Sequence, residues 1–375
     1  MTQGEDPFQE ELSELRKQLE TTTQKIVELI EFRVELARKI GELKKSQGAP
    51  ILDLVREEEL VTGAVSRSAV QDKDSLRRIL REVISLCRQI QSTTVVAVPL
   101  TMKAYSEEAA LSILGSSCRF VSTSGIESAF EAVAAGLADF CVTPYESTSQ
   151  GAFPSTLDSL VEKDLRIVGE VVLGVRYFLV SREDSLESVK TVVADPEGAA
   201  ACRVFLSTAL PWAKTVFVQG AGESSARRRG YAFLSAANAS RNPDFNVLAE
   251  DVQDDKQGAT RFIVAGRAGT YLQRLNSENI RYKTTLVFTA ENRPGFLSKA
   301  LGSFSSRGIN LTMIVSRPLK AKKWEYVFVI DLDCVESEKR FVDALTELKE
   351  YATMLRILGT YPELVYSANG HGLGK

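Results

Sequence analysis

From Phe8 to about Ser46 the chain carries apolar residues at Leu12, Leu15, Leu19, Ile26, Leu29, Ile30, Leu36, Ile40 and Leu43, with neither Pro nor Gly between Phe8 and Ile40. Spacings of three and four residues place these side chains on one stripe of a helix. At ~1.5 Å per residue that helix is roughly 57 Å long, about twice the diameter of a small domain. One chain has too little surface to cover such a stripe, so its natural cover is a second copy.

The same segment carries three informative cations. Arg33 and Lys44 are eleven residues apart and return to nearly one face, whereas Arg16, seventeen residues before Arg33, points elsewhere and suits a pocket completed by another helix. After Gly48 and Pro50 come Asp53 and Glu57, four apart on a second helical stretch, and then Ser85 and Gln89, four apart on a third. Any one of these residues alone reads as part of a solvated helix face.

A length of 375 residues predicts two to four domains. The net charge of −3 leaves no basic excess, which argues against nucleic acid as a partner. No apolar run is long enough to span a bilayer and the acidic N-terminus lacks a signal-peptide core, so the expectation is a cytoplasmic protein without membrane partners. Five scattered cysteines, Cys87, Cys118, Cys141, Cys202 and Cys334, argue against a disulfide framework or a zinc cluster. The single histidine, His371, lies in a Gly-rich tail, which excludes histidine-based catalysis.

At Thr94-Val95-Val96-Ala97-Val98 the pattern changes to short β-type runs alternating with helical ones. Strands are predicted near Arg119–Val121, Phe140–Val142, Leu165–Val168, Tyr177–Ser181, Thr191–Ala194 and Thr215–Val218, and helices near Ser106–Leu114, Gly125–Ala135 and Gly198–Leu206. This predicts an α/β domain with largely parallel sheets. Gly220-Ala221-Gly222 lacks the third glycine of a dinucleotide loop. Arg227-Arg228-Arg229 reads as a solvated face. From Thr284 onward the order strand, helix from Pro294 to about Gly308, strands Asn310–Ser316 and Glu325–Leu332, helix Glu336–Glu350 and strand near Leu355–Leu358 gives βαββαβ, a ferredoxin-like module.

The order Arg16, Arg33, Lys44, Asp53, Glu57, Ser85, Gln89 resembles the all-helical chorismate mutases, whose three-helix chains intertwine as a dimer. Thr23 stands where that family usually has an acidic residue. The resemblance implies that Arg33 and Arg16 of a second copy hold the carboxylates of chorismate. Lys44 and Gln89 would donate to the ether oxygen, Asp53 and Glu57 would take the hydroxyl and adjacent groups, and Ser85 would assist a carboxylate. The rearrangement to prephenate is intramolecular, so it needs positioning and charge stabilisation and no metal or cofactor.

Residues 94–268 resemble prephenate dehydratase, a two-lobed domain, through Tyr105-Ser106-Glu107-Glu108, Thr143-Pro144-Tyr145-Glu146-Ser147-Thr148, Ile167-Val168-Gly169-Glu170 and the signature Thr260-Arg261-Phe262. This implies that Thr260 protonates or positions the leaving hydroxyl, that Arg261 is positioning or structural, and that Phe262, Ser147 and Thr148 belong to the site. The chain departs from the family at several points. Pro99–Ala104 replaces a glycine-rich turn, Ser147 and Gly258 replace asparagines, Tyr177 and Asp195 replace histidines, and Ser224 and Ser225 stand loosely for a Ser-Thr pair. Residues 284–362 resemble the ACT module, with Gly295-Phe296-Leu297-Ser298 in the place of its Gly-Ala-Leu-Val turn and Ser316-Arg317-Pro318 lacking only the first glutamate of its four-residue motif. That resemblance implies phenylalanine as an effector, bound near Gly295, Phe296, Leu297, Asn310, Ser316, Arg317 and Pro318.

The expected organisation is therefore an all-α three-helix domain over 1–92, a two-lobed α/β domain over 93–268, a linker over 269–283, the ACT module over 284–365 and a tail over 366–375. Two functional readings stand: a chorismate mutase fused to an active prephenate dehydratase with phenylalanine feedback, or a mutase whose other domains only bind and regulate. Both expect a homodimer or larger homo-oligomer acting on small molecules.

Overall fold

The computed structural model describes residues 7–218, 227–236, 243–269, 281–290, 293–319 and 325–365. Gly220-Ala221-Gly222, Ser224, Ser225, Asn292, His371, the tail and most of the expected linker lie outside the described residues.

The predicted long helix forms as α1 (Pro7–Ser46), and Gly48, in the left-handed region, turns the chain behind it. It is followed by α2 (Leu54–Arg67) and α3 (Lys73–Gln91), each opened by an aspartate that accepts a backbone N–H. Asp53 caps through Arg56 N–H at 3.0 Å and Asp72 through Ser75 N–H at 3.0 Å. The Arg33 guanidinium reaches Val83 O, and a Cβ at Gly41 would lie 2.8 Å from the Gln91 side chain. Helices α1 and α3 thus run parallel, in tight contact at the glycine. Leu15, Leu19, Ile26, Leu29, Phe32, Ile40 and Leu43 are each more than half exposed in the single chain.

The middle domain begins with β1 (Val95–Pro99), α4 (Lys103–Leu114), β2 (Arg119–Thr123), α5 (Ile126–Ala134) and β3 (Phe140–Ser147). There follow β4 (Gly151–Ala152), α6 (Pro154–Glu162), β5 (Arg166–Gly174), β6 (Tyr177–Ser181), a 3₁₀ turn and β7 (Thr191–Ala194). The domain is completed by α7 (Pro196–Ala201), α8 (Arg203–Ala209), β8 (Lys214–Phe217), β9 (Tyr231–Ala236), β10 (Asn246–Ala249) and β11 (Ala259–Gly266). The C-terminal domain is β12 (Tyr282–Ala290), α9 (Phe296–Ser305), β13 (Leu311–Pro318), β14 (Tyr326–Leu332), α10 (Lys339–Lys349) and β15 (Met354–Val365), the predicted βαββαβ order.

Two sheets result. One has the order β10-β6-β9-β7-β8, and the other is ten-stranded along β13-β14-β12-β15-β5-β11-β3-β1-β2 with β4 on β3. The expectation of largely parallel sheets needs correction. Strands β1, β2 and β3 pair parallel, as do β7, β8 and β9, but β5, β6, β10 and β11 run antiparallel to their neighbours within the middle domain. The chain crosses between the lobes through these strands and so enters each sheet in both directions. The predicted helix 198–206 is likewise two short helices broken at Cys202.

The two C-terminal regions share one sheet because β15 runs on past its predicted end and pairs parallel with β5, Glu363 to Val365 against Glu170 to Val172. Just before that junction a Cβ at Gly359 would sit 2.2 Å from Ile167 O, so only glycine permits the approach. The helical domain docks elsewhere, on the C-terminal end of α4. There Ser85 Oγ donates to Leu114 O at 2.9 Å, Arg88 Nη1 donates to the same carbonyl at 2.9 Å, and Arg81 Nη1 donates to Ser112 O at 3.2 Å. Cations at a helix C-terminus meet its orphan carbonyls and the negative end of its dipole.

Candidate functional site

In the helical domain Lys44 Nζ donates to Ile51 O at 2.7 Å, which folds the loop after α1 back beside Asp53, while Arg33 is half-buried against α3. Glu57 is gripped by Arg88 through two charge-assisted bonds, Nε to Oε1 at 3.1 Å and Nη2 to Oε2 at 2.7 Å. Gln89 is exposed, as is Arg16. Seventeen residues of helix put Arg16 about 25 Å from Arg33, so one chain cannot bring both to one small substrate. Ser85 is 1% exposed, and its hydroxyl is taken up by Leu114 O and by Ser117 N–H at 3.1 Å. Ser85, expected to assist a carboxylate, here ties the helical domain to α4.

A cavity of about 170 Å³ opens in the middle domain. Met102, Ser147, Thr148, Tyr177, Glu197 and Thr260 line it. Register explains the grouping, since Thr260 of β11 stands opposite Ser147 of β3. Thr148 Oγ1 also accepts Ala259 N–H at 3.1 Å, tying the loop after β3 to the strand that carries Thr260. Met102 takes φ 52, the left-handed conformation that a glycine would adopt freely, at the start of α4 where the sequence lacks the expected glycine turn.

Arg261 and Phe262 do not line this cavity. Successive strand residues face opposite ways, so Arg261 turns from the cleft toward the C-terminal domain, and Phe262 is fully buried in the core. Arg261 thus stands where a positioning or structural role is open to it, and Phe262 packs in the core behind the cleft. Asp195 accepts Gly198 N–H as the N-cap of α7, and burial raises its pKa. Burial also raises the pKa of Glu197, with Asp195 adding to the effect.

In the C-terminal domain Gly295, at φ 79, caps α9, and Asn310 is exposed with its Nδ2 donating to Asp333 Oδ2 at 2.9 Å. Phe296 leans on Phe288 with ring centroids 6.2 Å apart, and Leu297 packs against the same core. Ser316 and Pro318 lie exposed on β13. Arg317, between them, makes a two-pronged bond to Asp158 of α6 at 2.9 and 3.1 Å. The expected effector arginine therefore bridges domains.

Three family profiles match in order: chorismate mutase type II over residues 15–92, prephenate dehydratase over 101–270 and ACT domain over 284–350. A bifunctional chorismate mutase/prephenate dehydratase of Aquifex aeolicus is 34% identical over 362 residues, covering 94% of this chain and 98% of the relative. The chain belongs to the bifunctional chorismate mutase/prephenate dehydratase family. The corresponding enzyme of Pseudomonas aeruginosa is 28% identical over 367 residues, covering 95% of this chain and 99% of its own. Among solved structures, the prephenate dehydratase of Arthrobacter aurescens in complex with L-Phe is similar at a TM-score of 0.63 and 29% identity, over 75% of this chain and 92% of that one.

Sequence reasoning singled out Arg261 and Glu170 but not the charges that meet them from the ACT domain, Asp331 and Lys283. Asp331 lies fully buried in Val-Ile-Asp-Leu of β14, and a lone acid inside an apolar strand was the signal that could have found it. Glu170 and Lys283 meet at 2.6 Å beside it, and burial is the first cause that raises the Glu170 pKa. Arg88 escaped notice because its partner Glu57 is on another helix. Among the described residues no helix is long and apolar enough to cross a membrane.

Proposed function

We infer that the chain turns chorismate into prephenate in its helical domain and prephenate into phenylpyruvate, water and carbon dioxide in its middle domain. Arg33 meets α3 and Lys44 meets the loop before α2, and Arg16 of a second copy supplies the missing cation. The exposed stripe on α1 supports an intertwined homodimer, because burying it returns about 25 cal/mol per Å² of apolar surface. Asp53, Glu57 and Gln89 complete the constellation. Charge developing on the ether oxygen is met by fixed donors in place of reorienting water.

For the second step the carrying observation is the cavity shared by Thr260, Ser147, Thr148 and Glu197. The bond between the ring and its hydroxyl breaks with the electron pair going to oxygen, a proton joins that oxygen, and the carboxylate leaves as carbon dioxide while its bonding pair completes the aromatic ring. Thr260, which lines this cavity, donates to the departing oxygen. Glu197, whose raised pKa lets it keep a proton to higher pH, is the group able to supply one.

Phenylalanine is the proposed effector, held by backbone groups near Gly295 and Asn310 where two ACT modules pair along the β13 edge. Equilibrium dialysis with labelled phenylalanine tests this, and absence of binding at millimolar ligand refutes it. We place the enzyme in the cytoplasm, where this stage of aromatic amino-acid synthesis is expected to run.

Incubation with chorismate, following prephenate and phenylpyruvate separately and without acid, tests both activities. Formation of phenylpyruvate that Thr260→Ala abolishes while prephenate still forms is the expected result. Prephenate that accumulates and stays would leave a mutase with a silent second domain.

A further inference from the structure

Thr260 and Arg261 are neighbours in β11, one facing the cleft and the other facing the C-terminal domain. The Arg261 guanidinium, 8% exposed, bonds Asp331 Oδ2 through Nη2 and lies 3.5 Å from both Glu170 Oε2 and Glu146 Oε2. It also sits over the Tyr145 ring, 4.6 Å from the centroid. The carboxylate that receives it is held from both domains. Asp331 Oδ1 accepts Thr285 Oγ1 at 2.6 Å, and the Tyr145 hydroxyl lies 3.2 Å from the same oxygen. Thr285 is braced in turn by the Tyr361 hydroxyl at 2.7 Å.

The ladder is irregular at this point. Between Arg261 and Phe262 the register on β3 slips, from Glu146 to Pro144, leaving Tyr145 as the extra residue. A bulge re-aims side chains and bends a strand, and here the re-aimed residue reaches Asp331. Without Asp331, Arg261 would be drawn toward Glu146, the residue next to Ser147 in the cleft wall.

We propose that Asp331, from the ACT domain, is a positioning residue of the dehydratase: through Arg261 it fixes the strand segment that aims Thr260 into the cleft. This rests on the reading that Thr260 serves dehydration. The mutase constellation shares no residue with this cluster. A displaced donor weakens the transition state more than substrate binding, so the effect falls on kcat.

The test compares the full chain with Asp331→Asn, Asp331→Glu, Asp331→Asn/Arg261→Gln and Thr260→Val, measuring dehydratase kcat and KM with prephenate, mutase rate with chorismate, and Tm. Asp331→Asn is expected to lower dehydratase kcat by roughly 30- to 100-fold, with KM within about threefold and mutase rate within about twofold. Asp331→Glu should recover part of kcat. The double variant removes a buried cation that has lost its closest carboxylate, while Glu170 keeps Lys283, so its Tm should rise above that of Asp331→Asn while kcat stays low. A folded Asp331→Asn enzyme with unchanged kcat, or a double variant that regains kcat together with Tm, would reduce Asp331 to a structural role and overturn the proposal. Full dehydratase rate in Thr260→Val would instead remove the reading beneath it.

Discussion

Gly115, which ends α4 at φ 70 and ψ −178, offers a quantitative test of the seam between the mutase and dehydratase domains. A Cβ there would lie 2.3 Å from Ser85 Cβ and 2.5 Å from Ser85 Oγ, and Ser85 is too short to swing clear. In Gly115→Ala two effects add. Holding a non-glycine residue in that backbone region costs about 2 kcal/mol. Pushing Ser85 away breaks its bonds to Leu114 O and Ser117 N–H, about 1 kcal/mol each. The seam should lose about 4 kcal/mol. Because Arg88 grips both Leu114 O and Glu57, mutase turnover should fall with it.

Hydrogen exchange at the Ser117 amide and the first urea transition measure this loss. Ser85→Gly supplies the control. In that background the clash and the Ser85 bonds are already gone, so Gly115→Ala should cost only the conformational part, about 2 kcal/mol. Equal penalties in both backgrounds, or a penalty below about 1 kcal/mol in the wild type, would refute the steric argument.

Three further outcomes are expected. Lys44→Ala should lower chorismate turnover by ~10²- to 10³-fold while leaving phenylpyruvate formation from added prephenate unchanged, as coupled and direct assays would show. Leu29→Glu with Leu36→Glu puts charge on the exposed α1 stripe, and sedimentation should report monomers and a mutase lacking the second copy's Arg16. Burial raises the Glu197 pKa, and if Glu197 supplies the proton as proposed, dehydratase kcat should fall as pH rises through that pKa. Glu197→Gln should lower kcat by ~10²-fold and abolish that limb of the pH profile.

The helical domain was legible because its information is local: one uninterrupted 3.6-residue period, two aspartate caps and spacings of four. The βαββαβ order of the ACT domain was legible for the same reason. What escaped was non-local. The antiparallel returns of β5 and β11 depend on where the chain crosses between lobes. The bonds that hold Ser85 and Arg317 at domain seams depend on neighbours about 29 and 159 residues away. Arg261 shows the limit of a motif: Thr-Arg-Phe reads as one unit in sequence, yet strand alternation sends its members to opposite sides.

The shared sheet bears on how the enzyme could be freed from feedback. Cutting away the ACT domain is the obvious engineering route, but it would strip β15 from β5 and leave Glu170 to Val172 as an open edge ready to recruit other chains. The same cut would take Lys283 from Glu170 and Asp331 from Arg261, leaving Arg261 and Glu170 with each other at 3.5 Å and without their closest partners. Desensitisation by deletion should therefore yield an aggregating, poorly active enzyme, whereas single replacements on the surface around Gly295 and Asn310 leave the common sheet whole.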